Sequence, residues 1–212
     1  MSKQVTYHAA EHIAADPAVD PYLRPSFTLR QRLRRLAWNI CWQFFFHLSP
    51  RPLHAWRAWL LKAFGAKLGA NCHFLPTSVI WAPWNLECED LVVVGGGAEI
   101  YNQGPIRLGS HTTVSQGAYL CASTHDFNDP AFPLIAYSIN VGAYAWICAR
   151  AVVGPGVDVG EGAVLGLASV ATRNLEPWCV YAGAPAVKVK ERKRFLEAAR
   201  TAAEEKASSI KP

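Results

Sequence analysis

A parallel β-helix of hexapeptide repeats is the fold this sequence predicts, with a helical hairpin before it and a short helix after it. Three observations predict it. From Val141 an aliphatic or small residue returns at every sixth position: Val141, Ile147, Val153, Val159, Leu165, Ala171. Four residues after each of the first five stands a small or β-branched residue: Ala145, Ala151, Val157, Ala163, Ser169. Glycine follows most of the beats, as in Val141-Gly142, Val153-Gly154, Val159-Gly160 and Leu165-Gly166. A fixed six-residue period marks a solenoid of the β-helix kind. An amphipathic helix would need apolar residues at i, i+3, i+4 and i+7, and a half-buried strand would need period two.

Each hexapeptide is one short strand plus a corner. The aliphatic residue points inward, and the small residue beside it sits where a large side chain would clash or where φ is positive. Stacked coils bury a continuous apolar column, so no repeat is stable alone. The beat runs backwards less regularly through Leu68-Gly69, Val94-Gly95, Ile100, Leu108-Gly109, Val114 and Leu120. It breaks between Ser123 and Ser138. The repeat region is expected over residues 68–172, in about five coils.

Taken in order, residues 1–27 are polar and punctuated by Pro17, Pro21 and Pro25, which predicts an irregular lead-in. Residues 28–67 form an aromatic and basic arm. Its first helix is expected over Leu29–Leu48 with its cap near Ser26, and its second over Leu53–Phe64, with Pro50 and Pro52 between them. Residues 68–190 are the β-helix, with an inserted loop at 123–138. Residues 191–212 are a tail whose first part, about Glu191–Ala207, has a short amphipathic pattern.

The chain of 212 residues is 51% hydrophobic and 17% charged, as expected for one folded domain with appendages. Its net charge of +5 is uneven. Residues 1–67 hold ten Lys/Arg and three Asp/Glu, so the basic excess belongs to the arm. The mixture of Arg with Trp and Phe favours an anionic membrane surface over nucleic acid. The apolar part of the first helix is about a dozen residues, too short to span a bilayer, which needs ~20. Two readings of residues 29–64 stand: a cap on the open first coil, or an in-plane peripheral membrane contact. Six scattered cysteines without C-x-x-C spacing suggest a reducing compartment. Residues 1–20 have no apolar core of a signal peptide, so a cytoplasmic location is expected, peripheral on the inner face of the cell membrane if the arm binds lipid.

The break in the repeat carries the chemistry. His125 lies in Cys121-Ala122-Ser123-Thr124-His125-Asp126-Phe127-Asn128-Asp129-Pro130, among polar groups and the aromatic residues Phe127, Phe132 and Tyr137. Insertions in solenoids map to one face and often hold the site. Cys121 falls on the beat and reads as a packed corner residue, not a nucleophile. Gly95-Gly96-Gly97 lacks the G-x-G-x-x-G pattern. His73, His111 and His125 have no close ligand partners in sequence, so no metal is expected.

These segments resemble a known family, the hexapeptide-repeat acyltransferases with a left-handed β-helix. The stretches that carry the resemblance are Ser49–His54, Trp81–Leu86, Tyr101–Ile106, Ser115–Cys121, His125-Asp126 and Asp129–Leu134, within about residues 30–190. The branch is that of galactoside, maltose and nodulation-factor O-acetyltransferases, and the likeness is greatest to colanic acid biosynthesis acetyltransferases. The left hand comes from the family, not from the spacing.

The resemblance implies acetyl transfer from acetyl-CoA, a co-substrate, to a sugar hydroxyl, with His125 as general base. It implies that Asn102 orients the acceptor or assists the oxyanion, and that Asp126 orients the imidazole or touches the acceptor. On the acetyl-CoA side it implies Trp146 at the edge of the site and Ala168, Thr172 and Arg173 along the last coil. Lys188 and Lys190, after Gly183-Ala184-Pro185-Ala186, fall near the phosphates. Cys148-Ala149-Arg150 departs from the smaller turn of many relatives. The resemblance also implies a homotrimer with the site between adjacent prisms. The aromatic arm favours an acceptor carried on lipid, so the expected partner is a sugar or a lipid-linked glycan of a surface polysaccharide. A non-catalytic β-helix scaffold is the alternative; it would not need the His125 loop.

Overall fold

The computed structural model describes residues 27–194; the lead-in, Ser26 and the expected C-terminal helix beyond Arg194 lie outside those residues. Helix α1 spans Leu29–Cys41 and continues through a π-helical turn at Trp42–Phe46. It starts on a capping box at Thr28 rather than at Ser26. The Gln31 N–H donates to Thr28 Oγ1 (3.3 Å), and the Thr28 N–H donates to Gln31 Oε1 (2.9 Å). Helix α2 spans His54–Ala63.

One face of this hairpin caps the first coil. Trp38 Nε1 donates to Ile80 O (2.7 Å), and Trp42 Nε1 donates to Ser78 O (2.9 Å). Arg57 is fully buried. Its guanidinium donates to Phe74 O (2.6 Å), Ser49 Oγ (2.8 Å), Pro50 O (2.9 Å) and Arg51 O (2.6 Å), so carbonyl dipoles replace the water it has lost.

The body is a three-faced prism. The first face stacks β1 (Lys67–Leu68), β4 (Leu86–Cys88), β7 (Ile106–Leu108), β12 (Ile139–Val141) and β15 (Asp158–Val159). The second stacks β2 (His73–Phe74), β5 (Val93–Val94), β8 (Thr113–Val114), β13 (Trp146–Ile147), β16 (Val164–Leu165) and β18 (Cys179–Gly183). The third stacks β3 (Val79–Ile80), β6 (Glu99–Tyr101), β9 (Tyr119–Cys121), β14 (Val152–Val153) and β17 (Val170–Ala171). Neighbours within each face are parallel. Phe74, Val94, Val114, Ile147 and Leu165 stack inward on the second face, and Ile80, Ile100, Leu120, Val153 and Ala171 on the third; all are buried. The six cysteines are free.

The coils number six, not five. Beyond Ala171 the beat fails, but Leu175 bridges Val159 and the chain returns to the second face as β18. The weak early beat also has a cause. Early coils are twenty residues long, pairing Val79 with Glu99 and Glu99 with Tyr119, while a later one is eighteen, pairing Val152 with Val170. The two extra residues fall at the corner from the third face to the first, where Ile100 leads to Leu108.

Corner chemistry divides in two. Left-handed residues recur between the first and second faces: Asn71, Leu91, His111, Tyr144, Gly162 and Trp178, five of them not glycine. The glycines that follow the beat serve close approach instead. A Cβ on Gly109 would lie 2.5 Å from Ala143 N, and one on Gly142 would lie 2.6 Å from Glu161 N.

After β18 the chain turns through Gly183–Ala186 into β19 (Ala186–Glu191), antiparallel to β18 at the edge of the second face. Glu191 therefore closes a strand where a helix was expected to begin.

These two uses of glycine make separable predictions. Gly109→Ala should lower stability by about 1–3 kcal/mol, because backbone of the next coil must move. Gly97→Asn, at φ +67° but with its missing Cβ in no closer contact than 3.9 Å, to Gly117 N, should cost about 1 kcal/mol or less. Chemical denaturation of both variants checks the order; the reverse order would mean that φ, not approach, sets the demand.

Candidate active site

The insertion leaves the prism at the corner that is already two residues wider in the coils beneath it. It runs from β9 into an antiparallel hairpin, β10 (Ser123–His125) and β11 (Leu134–Ala136), and rejoins the first face at β12. Ser123 pairs with Ala136, and His125 with Leu134. Two features seat its root. Gly104 faces the Tyr137 carbonyl so closely that a Cβ would lie 2.3 Å from that oxygen. The Tyr137 ring lies over Gly156 of the next coil.

The hairpin tip fixes His125. The Asp126 N–H donates to Pro133 O (3.0 Å), and the Phe132 N–H donates to Asp129 O (2.8 Å). Phe132 takes φ +44°, uncommon for a bulky residue. Its ring stacks on the imidazole at 4.3 Å and 10°. Its carbonyl oxygen lies 2.9 Å from His125 Nδ1. A carbonyl only accepts, so Nδ1 carries the proton and Nε2 keeps its lone pair.

Asp126 does not reach the imidazole; its Oδ1 accepts from the Asn128 N–H (3.0 Å) in a local turn. Asp129 does the same for the Ala131 N–H (2.8 Å). The acidic side chains therefore shape the tip, and the main chain at Phe132 orients the histidine. Sequence reasoning missed that partner because a carbonyl leaves no residue-type signal.

Asn102 is held by the backbone of the coil below. It is fully buried, its Oδ1 accepts from the Ala82 N–H (2.9 Å) and its Nδ2 donates to Ala82 O (2.7 Å). Both ends of the amide are engaged in clamping the coil below, so within one chain the side chain positions the corner. Asn85 Nδ2 completes the clamp by donating to Asn102 O (3.1 Å) and Gln103 O (2.8 Å). The next residue offers what Asn102 does not: Gln103 donates through Nε2 to the Tyr101 hydroxyl (2.8 Å), while its buried Oε1 has no partner among the described residues.

Tyr101 and Tyr119 lie side by side on the outer side of the third face. Burial pushes both phenols up, with Cys121 adding to the effect at Tyr119, so both keep their protons at neutral pH. The Cys121 thiol itself donates to Ser123 O (3.2 Å).

The positions expected on the acetyl-CoA side occupy other parts of the prism. Trp146 is half exposed on the second face, with Nε1 donating to Ser115 Oγ (2.8 Å). Ala168 takes φ +52° at the corner between the second and third faces, and its N–H donates to Ala149 O (3.0 Å). Arg150 stands one coil earlier at that corner, exposed, at φ +58°. Thr172 and Arg173 are exposed just after β17. Lys188 and Lys190 are exposed on β19. Lys188 Nζ meets Glu176 Oε2 at 2.8 Å, which holds the carboxyl below and the ammonium above their usual ranges. One chain therefore does not bring Trp146 and Ala168 beside His125: the imidazole stands at the corner between the third and first faces, and Trp146 and Ala168 on and beside the second face, whereas Thr172 and Arg173 follow β17 at the same corner as the hairpin, two coils on. Among the described residues no group of His, Cys, Asp and Glu could hold a metal ion, and no helix is long and apolar enough to cross a membrane.

No family model matches the sequence. The chain is 39% identical over 147 residues to WcaF of Escherichia coli K12, designated a colanic acid biosynthesis acetyltransferase; the match covers 69% of this chain and 81% of that protein. Among solved structures, a galactoside acetyltransferase in complex with coenzyme A superimposes with a TM-score of 0.74 at 20% identity, over 82% of this chain and 88% of the other. A hexapeptide-repeat acetyltransferase of Vibrio cholerae, complexed with acetyl-coenzyme A, does so with a TM-score of 0.70 at 19% identity, over 79% and 91%.

The imidazole geometry is open to direct test. Nitrogen-15 NMR of the neutral His125 imidazole should show Nδ1 protonated and Nε2 bare. A dominant Nε2–H tautomer would contradict the Phe132 contact.

Proposed function

Because this chain belongs to the hexapeptide-repeat acetyltransferase family, acetyl-CoA-dependent acyltransferases with a left-handed β-helix, we propose that it acetylates a hydroxyl of a sugar during surface polysaccharide synthesis. The observation that carries this reading is the His125–Phe132 contact, which leaves Nε2 as a base in the one interruption of the repeat.

A hydroxyl is a poor nucleophile, and a neutral imidazole can take its proton as the oxygen attacks the thioester carbonyl. The Phe132 carbonyl, accepting from Nδ1–H, stabilises the imidazolium that forms. When the carbon–sulfur bond breaks, the imidazolium returns the proton to the departing thiolate. The products are an O-acetyl ester and free CoA thiol, and no acyl-enzyme is required. Asp126 and Asn102 act as positioning residues, the first through the hairpin tip and the second through Ala82.

The acetyl-CoA side falls to Trp146, Ala168, Thr172, Arg173, Lys188 and Lys190, supplied by a neighbouring chain. The separation of Trp146 and Ala168 from His125 within one prism supports a homotrimer whose sites lie between subunits. The acceptor is a free sugar or a lipid-linked glycan.

Two measurements test the proposal. Thiol release from acetyl-CoA, assayed against a panel of sugars and lipid-linked glycans, should fall by ~10²–10⁴ in His125→Ala. No turnover with any acceptor, together with no acetyl-CoA binding by calorimetry, would leave a scaffold. Light scattering of the purified protein should give the mass of three chains; a monomer at micromolar concentration would sink the shared site.

A further inference from the structure

The helical arm uses one face to cap the prism and leaves the other uncovered. Leu29, Leu33, Leu36, Ile40 and Phe44 are 68%, 57%, 55%, 50% and 61% exposed. Their spacing of four, three, four and four places them in one stripe of α1 and its π-helical turn. At about 100° per residue the stripe lies opposite Trp38, the buried docking residue. The eighteen residues from Leu29 to Phe46 give it a length of ~27 Å. Phe45, Leu48, Trp56 and Trp59 extend the apolar surface; the two indoles stack at 5.2 Å, and Trp56 Nε1 donates to Phe45 O.

Charge identifies what fits this surface. From residue 21 to residue 86 the sequence holds nine Lys/Arg and no Asp or Glu. Some of these cations are tied inward: Arg57 is buried, and Arg34 and Arg35 lie over Trp84 and Trp81. Arg30 and Arg32 are exposed and flank the stripe on either side; Arg51 and Lys62 are exposed nearby. A second copy of the same face would set these cations against one another. An anionic lipid surface would take the leucines and tryptophans into its acyl boundary and the arginines onto its phosphates.

We propose that the outer face of the arm, from Leu29 to Trp59, docks in the plane of an anionic membrane. The site is close to it. β3, which receives the arm, is separated by β6 alone from β9, which leads into the His125 hairpin. Two strand spacings are ~10 Å, and the helix adds ~10 Å between its outer face and β3. Trp81 links the two regions, with Arg35 over its face and Tyr101 at its edge. A sugar on a lipid-linked chain reaching ~20 Å from the surface would thus meet the hairpin while its lipid stays in the membrane.

The test is flotation of the full chain with vesicles of phosphatidylcholine, alone or with about one third phosphatidylglycerol. The anionic vesicles should retain ~tenfold more protein, and the difference should shrink as salt rises. The double variant Leu33→Glu/Ile40→Glu, folded by circular dichroism, should lose that retention at unchanged mass by light scattering. Arg30→Gln/Arg32→Gln should lose the preference for phosphatidylglycerol. Equal recovery with both vesicle types, bound or unbound, overturns the proposal. So does a leucine–isoleucine variant that floats as before, or one whose assembly falls apart, which would give the stripe to a second copy.

Discussion

The main-chain ladder between coils is the constraint on which the rest depends. Each rung pairs with the next in parallel register, at the ~4.8 Å spacing of hydrogen-bonded strands. That spacing forces inward side chains to stack directly on one another, so the column from Phe74 to Leu165 must be apolar throughout. It also forbids a Cβ where the turn after a beat passes over the next coil, as at Gly109 and Gly142. The core and the glycine pattern are two outcomes of one distance.

The same ladder decides where a functional loop can go. An insertion within a rung would break pairing above and below. An insertion at a corner leaves both neighbours paired, as β9 with β14 and β7 with β12 show. The corner used here is the one widened by two residues in the early coils and clamped by Asn102 on Ala82. The hairpin then orients its own histidine through Phe132, using backbone the loop already contains. Rigid coils and a self-orienting tip let a chemical group stand on an otherwise repetitive body.

Much of this was legible in the sequence because period six has few physical causes. The inward column and the break around His125 follow from it, and the helical hairpin follows from two apolar runs parted by Pro50 and Pro52. The early coils were harder to read: a twenty-residue turn shifts the beat by two, so Ile100 and Leu108 look out of phase while stacking in place. The sixth coil was hidden because Leu175 enters the column after a stretch with no beat. The strand Ala186–Glu191 was not legible as a reversed strand, because it lies after the last beat and its side chains from Val187 on are exposed. Within the site, residue types pointed to His125 and its neighbourhood, but not to contacts. Asn102 and Asp126 are spent on backbone, and the partner of the imidazole is itself backbone.

The last strand has a further consequence. A β-helix with two open ends presents at each a rim of unpaired amides and carbonyls, onto which another copy could add as a continuing coil. At one end the aromatic hairpin covers the rim. At the other, β19 pairs with the final rung in the opposite direction and lines the edge with exposed Lys188 and Lys190. On the second face a parallel coil from another molecule finds a strand running the wrong way. The arm at one end and the reversed strand at the other work against end-to-end growth of a repeat that could in principle continue indefinitely.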